Sequence, residues 1–378
     1  MPSTGSYLLI GAVACLVTFI ATPLVRRLAE HFGWLYLPSE RTVHTRPMPA
    51  IGGLAMFAGF IVAFAVSRLL DTFDQLYARN SEPRGIILAA SIIVAAGLYD
   101  DIKGASPPAK VAATVLAGIA LVHFGATMYY FRIPFVDQTP LLSDDWIPLI
   151  TVLWLLGITQ AINLIDGLDG LAAGIVAIAA GAFFLYSVKL SALDLLTQPN
   201  FGPLVAIIAV GVCVGFLPHN FNPARIIMGD SGALLLGLLL AVSSSLVGGR
   251  AEASQEFTGQ TYFFLAPLVI PLLVLGVPIF DMAFAIVRRA GRRSGVAVAD
   301  KGHLHHRLMN LGHGHRRSVL ILWAWTALLS GFVLYPVLTG DNPSYLPFGM
   351  AMSVEDATRV ADEVIRSGIP LETAAAVA

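Results

Sequence analysis

Apolar runs long enough to cross a bilayer recur along this chain from one end to the other. They fall at about Tyr7–Val25, Ile51–Leu70, Gly85–Tyr99, Pro108–Met128, Trp146–Ile165, Leu168–Val188, Gly202–Leu217, Ser231–Val247, Tyr262–Val287 and Val319–Leu338. A segment of roughly 20 apolar residues matches the hydrocarbon thickness of a membrane, and only helices and closed barrels satisfy their backbone there. The reading is an all-α, polytopic integral membrane protein with about ten transmembrane helices. The composition agrees, with 56% hydrophobic and 12% charged residues and a mean hydropathy of +0.76. The ninth run contains Pro267, Pro271 and Pro278, so a broken or kinked ninth helix is expected.

The first run has no basic residue before it and is followed by Arg26-Arg27. That pattern suits a retained span with its N-terminus outside, not a cleaved signal. Alternation of ten spans then puts fifteen Lys and Arg residues in inside loops and eight outside, the direction of the positive-inside rule. Cys15 and Cys213 both lie inside apolar runs and suggest neither a disulfide framework nor a metal site. Residues 1–340 read as one transmembrane domain. Residues 341–378 read as an extracytoplasmic tail carrying a short helix-like piece, "VEDATRVADEVIRS", with no evident chemistry.

The same alternation brings four polar clusters to one membrane face. "GLYDDIKG" ends the third run with Asp100-Asp101. Acids at a helix C-terminus oppose the macrodipole. They are either solvated there with Lys103 as partner, or they hold a divalent cation beside a phosphate. "NLIDGLDG" spaces Asn163, Asp166 and Asp169 three apart. A helix would place them one turn apart, whereas a plain Asp-Gly turn is the bland alternative. "FNPARIIMGDSG" sets Asp230 at the start of the eighth run, where it could cap the helix or bind a cation that meets a phosphate. "DKGHLHHRLMNLGHGHRR" carries five of the nine histidines among basic residues. It is either a basic loop beside anionic lipid heads or a diphosphate-binding loop, since no cysteine or standard zinc spacing is present. Aspartates for a hard cation, with Lys, Arg and His for phosphates, fit phosphoryl transfer at a membrane surface. A secondary transporter is the rival from another class. Transporters place acidic coupling sites near the bilayer midplane, often with repeat symmetry, whereas these acids sit at span ends and no repeat is evident.

From "HTRPMPAIGG" to "HLHHRL", with "DD", "NLIDGLDGLAAG" and "MGDSG" in order between them, the chain resembles the polyprenyl-phosphate N-acetylhexosamine-1-phosphate transferases. The resemblance implies transfer of a sugar 1-phosphate from a UDP-N-acetylhexosamine to a polyprenyl phosphate, with release of UMP. It implies Mg²⁺ as cofactor, with Mn²⁺ as a substitute. It implies Asp230 and Asp100 as metal ligands, and Asp100, Asp101 and Asp230 as the catalytic carboxylates. Lys103, Lys110, Asn163, Asp166, Asp169 and Asn220 are then substrate-binding, and His303, His305 and His306 lie near the sugar-phosphate end. The expected partners are UDP-GlcNAc, the lipid carrier, membrane lipids and a second copy in a homodimer, with no nucleic acid. The expected location is the plasma membrane with the site facing the cytoplasm. "HLHH" and "RPMPAIGG" depart from the unbroken histidine triplet and lysine-containing stretch of the branch that uses UDP-N-acetylmuramoyl-pentapeptide. They favour the N-acetylglucosamine branch and leave either His44 or Arg46 in the place of that lysine.

Overall fold

The computed structural model describes residues 2–36, 46–78, 80–129, 143–192, 196–250 and 314–339. Among them the order is α1 (Thr4–Phe32), β1 (Leu35–Tyr36), β2 (Met48–Pro49), α2 (Gly53–Leu69), a 3₁₀ turn (Asp71–Phe73) and α3 (Asp74–Tyr77). Then come α4 (Glu82–Lys103), α5 (Pro107–His123), α6 (Trp146–Ile165), α7 (Leu171–Ala192), α8 (Gly202–Asn220), α9 (Gly229–Gly248) and α10 (His315–Thr339). Six of the described helices are long and apolar enough to cross a membrane, or up to seven if the bent pair α2–α3 counts as one span. The expected ninth run, with its proline break, lies outside the described residues, as does the C-terminal tail.

One break that the sequence reading lacked is present. α2 and α3 meet at 89°. Leu70 adopts an extended conformation, and the polar residues after it tie the corner. Ser67 and Tyr77 share a 2.6 Å hydroxyl contact, and Arg68 pairs with Asp74 at 3.5 Å. Phe73 is buried beneath the corner, edge-on to Tyr7.

Helix α9 is the axis of the bundle. Every residue from Ser231 to Val247 is buried, as expected of a helix that is apolar all round. It packs against α6, α4, α8, α2 and α7, while α1 packs on α8 and α2. α1 instead exposes Leu8, Leu16, Phe19, Ile20 and Leu24, in keeping with a lipid-facing flank. The close approach of α1 to α8 rests on Gly211 and Gly215, four apart. A Cβ at Gly211 would lie 2.3 Å from the Gly11 carbonyl, and one at Gly215 2.2 Å from the Cys15 carbonyl. Small residues at this spacing let helix backbones meet in a membrane.

At the end of the bundle away from the polar clusters, Arg250 is buried just beyond α9. Its guanidinium donates to Glu82 Oε1 at 2.5 Å, to the Thr127 carbonyl at 3.0 Å and to the Gly125 carbonyl at 2.5 Å. It also lies over the Tyr129 ring, 4.7 Å from the centroid. One side chain thereby ties the start of α4 and the segment after α5 to the end of α9.

Candidate active site

At the opposite end, the short β1–β2 pair runs antiparallel, with Tyr36 opposite Met48. Its continuation, "PAIGG", lies along "IIM" before α9. Ile227 N–H donates to the Pro49 carbonyl at 2.8 Å, and Gly52 and Gly53 N–H groups donate back to Ile227 and Met228 carbonyls at 3.1 and 2.8 Å. Gly229 then turns the chain at φ +70. A Cβ there would meet the Ala50 carbonyl at 2.1 Å and the Asp101 carboxylate at 2.5 Å, while one at Gly97 of α4 would meet Ser231 Cα at 2.4 Å. These glycines let the first turn of α9 seat between α2 and α4.

The N-cap residue of α9 is Met228, which has no side chain able to cap. The cap comes from across the site. Asp101 Oδ1 accepts Asp230 N–H at 2.7 Å, and its Oδ2 accepts Ser231 N–H at 3.1 Å and the Ser231 hydroxyl at 2.6 Å. Helix N-termini leave N–H groups unpaired and favour negative charge. Asp101 therefore answers the capping alternative raised for Asp230, whose own carboxylate points elsewhere.

Asp230 Oδ2 accepts Lys110 Nζ at 2.6 Å and Asn163 Nδ2 at 3.1 Å. The same ammonium donates to Asp100 Oδ2 at 3.1 Å, and Asp100 Oδ1 accepts the Ala105 N–H. One cation thus bridges two carboxylates from α4 and α9. All three side chains are about one-fifth exposed, sheltered yet reachable.

Asn163 lies in the last turn of α6. Asp166 is its C-cap, and the chain turns through residues 167–170, with Gly170 at φ +78. The turn wins over the helical reading of "NLIDGLDG" because two Asp-Gly steps end the helix. Asp169 is 5% exposed, and its Oδ2 accepts Asn222 Nδ2 at 2.9 Å and Ala224 N–H at 3.1 Å. Asn220 is buried with both amide ends occupied, by Gly170 N–H and the Ile226 carbonyl. Both residues fasten the α8–α9 loop to the α6–α7 turn. Asp166 faces the cleft, and burial, followed by the charges of Asp230, Asp101 and Asp169, holds its carboxyl well above the usual carboxylate range.

The resulting cleft has a volume of about 270 Å³ and is lined by Asp100, Asp101, Asn163, Asp166, Asp169 and Asp230, with Tyr36 at its edge. Lys103 does not join it. That side chain is exposed and lies 5.9 Å from the Tyr99 ring centroid. His303, His305, His306 and His44 lie outside the described residues. Arg46 is described and exposed.

Three participants were not singled out from the sequence. Ser231 completes the Asp101 cap, Asn222 holds Asp169, and His315 Nε2 accepts the Asp169 N–H at 2.9 Å. His315 begins α10, which docks on α7 through the Trp323 indole and the Leu171 carbonyl at 3.3 Å. A histidine immediately before "RR" in a stretch of sequence with five histidines gave no signal for this contact, because its partner lies 146 residues away.

The cleft joins paired carboxylates, an ammonium and an amide at the end of a membrane bundle, and comparison with known proteins places it. The family model described as "Glycosyl transferase family 4" matches residues 84–248, which span α4 to α9 and hold Asp100, Asp101, Lys110, Asn163 and Asp230. The chain is 36% identical over 326 residues to the decaprenyl-phosphate N-acetylglucosaminephosphotransferase of Mycobacterium tuberculosis (strain CDC 1551 / Oshkosh), covering 85% of this chain and 80% of that one. It is 36% identical over 321 residues to the probable undecaprenyl-phosphate N-acetylglucosaminyl 1-phosphate transferase of Bacillus subtilis, covering 85% and 81%. A phospho-N-acetylmuramoyl-pentapeptide-transferase of Staphylococcus epidermidis is more distant, at 27% over 345 residues, covering 85% and 96%. The chain belongs to the polyprenyl-phosphate N-acetylhexosamine-1-phosphate transferases, in the branch of the decaprenyl- and undecaprenyl-phosphate N-acetylglucosamine enzymes.

Proposed function

We propose that this protein transfers N-acetylglucosamine 1-phosphate from UDP-GlcNAc to a polyprenyl phosphate at the cytoplasmic face of the plasma membrane. An acceptor phosphate oxygen attacks the β-phosphorus of the donor. The bond from that phosphorus to the bridging oxygen breaks, UMP leaves with the electron pair, and polyprenyl-diphosphate-GlcNAc remains. The observation that carries the reading is the convergence of Asp100 and Asp230 on one cation position, the Lys110 ammonium, in a cleft at the end of an apolar bundle. A transporter reading has less to stand on, because these acids cluster at helix ends, away from the middle of the bundle.

The residues present fit Mg²⁺, or Mn²⁺ in its place. Among the described residues no group of three or more His, Cys, Asp or Glu side chains is arranged to hold a metal. Mg²⁺ at phosphate sites usually takes only one or two carboxylates and completes its shell with water and substrate oxygens. Asp230 and Asp100 would hold it, and bound there it would offset charge on the diphosphate. Lys110 sits where it can turn from the carboxylates to a phosphate oxygen. Asn163 and Asp166 face the cleft where the nucleotide end would lie. Asp169 and Asn220 support the wall behind them. The histidines of "HLHH" are assigned to the sugar-phosphate end on family resemblance.

Two measurements test the reading. UMP release by purified protein in detergent should be seen with UDP-GlcNAc and be little or none with UDP-N-acetylmuramoyl-pentapeptide. The reverse preference would move the chain to the other branch. Asp230→Asn should fold with a near-parental thermal midpoint, since Asp230 is not the cap, yet lose on the order of a thousandfold in turnover across a Mg²⁺ titration. Near-parental turnover at ordinary Mg²⁺ would remove Asp230 from the metal site.

A further inference from the structure

We infer that Asp101 is a positioning residue that sets the direction of the Asp230 carboxylate by capping α9 from the neighbouring helix, and that it takes no direct part in metal binding or proton transfer. The inference rests on the transferase reading above for its kinetic side and on geometry alone for its structural side. Both Asp101 oxygens are engaged, one by Asp230 N–H and the other by the Ser231 N–H and hydroxyl. Those donors belong to residue 230 itself and its neighbour. Ser231 is fully buried.

The adjacent carboxylate is placed differently. Successive residues on a helix point about 100° apart, so Asp100 faces Lys110 while Asp101 faces the α9 terminus. The surroundings reinforce the division. Gly53, Gly97 and Gly229 bring backbone against the first turn of α9 so closely that a Cβ at any of them would collide with it or with Asp101. In such a socket the three hydrogen bonds to Asp101 fix how far the turn is wound, and hence where Asp230 points relative to Lys110 and Asn163. A carboxylate suits the task because it is acceptor-only. The amide of asparagine would present N–H groups to donors.

A double-mutant cycle of Asp101→Asn and Ser231→Ala tests this, because sites that act through one contact are non-additive. In EDTA, the thermal midpoint of the double variant should match that of Asp101→Asn alone. In UMP release per folded enzyme, Ser231→Ala should lower kcat about three- to tenfold and Asp101→Asn about a hundredfold, the scale of losing charge-assisted hydrogen bonds. KM for UDP-GlcNAc should be nearly unchanged in both, and the double should be no slower than Asp101→Asn. The inference is overturned if Ser231→Ala turns over at the parental rate, or if the two effects multiply, which is what a direct chemical role for Asp101 predicts. If Asp101→Asn does not fold, Ser231→Ala alone decides by the same kcat and KM criterion. A parent enzyme that releases no UMP would sink the transferase reading instead, and the metal-free thermal cycle would still decide whether the cap exists.

Discussion

The aspartates of this cleft are chemically alike but differently placed. Asp169 accepts from a backbone N–H and an amide, Asp101 from two backbone N–H groups and a hydroxyl, and Asp100 and Asp230 share an ammonium. Asp166 has the least favourable setting, since burial and three neighbouring carboxylates all disfavour its charge. Its folded pKa lies above its unfolded value, so the ionised side chain destabilises the fold. That penalty is absent below the ordinary carboxylate value near pH 4, grows as pH rises through the window between the two values, and is complete above the folded one. Asp166→Asn should therefore raise the thermal midpoint at pH 7 in EDTA, at roughly 2–4 °C per kcal/mol relieved. The gain should vanish at pH 4, and turnover should fall. Equal midpoints for parent and variant at pH 7 would show that Asp166 carries no such penalty. The sequence named all five aspartates but not this division of labour, because each partner comes from a distant part of the chain. Asp101 and Ser231 are 130 positions apart.

Elements were more legible than side-chain roles. Trp146–Ile165 is both the expected run and α6, because a long apolar stretch in a bilayer has only one way to satisfy its backbone. The corner between α2 and α3 escaped, since the apolar pattern that marks a span does not mark where the chain turns along the surface. Glycines inside helices were equally silent. Gly97 reads as a weak point in α4, yet the structure makes it the place where α4 and α9 touch. Gly97→Ala adds only a methyl group, but that group would sit 2.4 Å from Ser231 Cα. The two helices must separate by an ångström or so. The expected cost is about 1–3 kcal/mol, together with a drop in turnover from a displaced Asp230. Thermal unfolding and UMP release of Gly97→Ala would check this, with Gly157→Ala as control because nothing lies within 4 Å of a Cβ there. Parallel behaviour of the two variants would mean that α4 and α9 are not in tight register at Gly97.

At the scale of the whole molecule, α4 and α9 run antiparallel and are joined at both ends. Asp101 meets the α9 N-terminus at the cleft, and Glu82 meets Arg250 at the other end. Arg250→Met would leave the Glu82 carboxylate buried without its cation, which typically costs about 3–5 kcal/mol. The double variant Glu82→Gln/Arg250→Met should recover part of that loss, because no unpaired charge remains. Thermal midpoints of the parent, the single and the double decide the matter. A double variant no more stable than Arg250→Met would show that the unpaired Glu82 carboxylate is not what destabilises the single variant, and would leave the lost guanidinium contacts to Thr127 and Gly125 as the source of the loss.

The distant clasp also matters to chemistry it never touches. With 20 residues in α9 and a rise of 1.5 Å each, about 30 Å separates Arg250 from Asp230. Over such a lever arm a tilt of about 2° at the clasp swings the carboxylate by about 1 Å, enough to spoil the alignment of reacting atoms. The two membrane faces are in this sense mechanically geared. By this geometry, a change in the segments that hold Arg250 would shift the aim of the carboxylates at the other end.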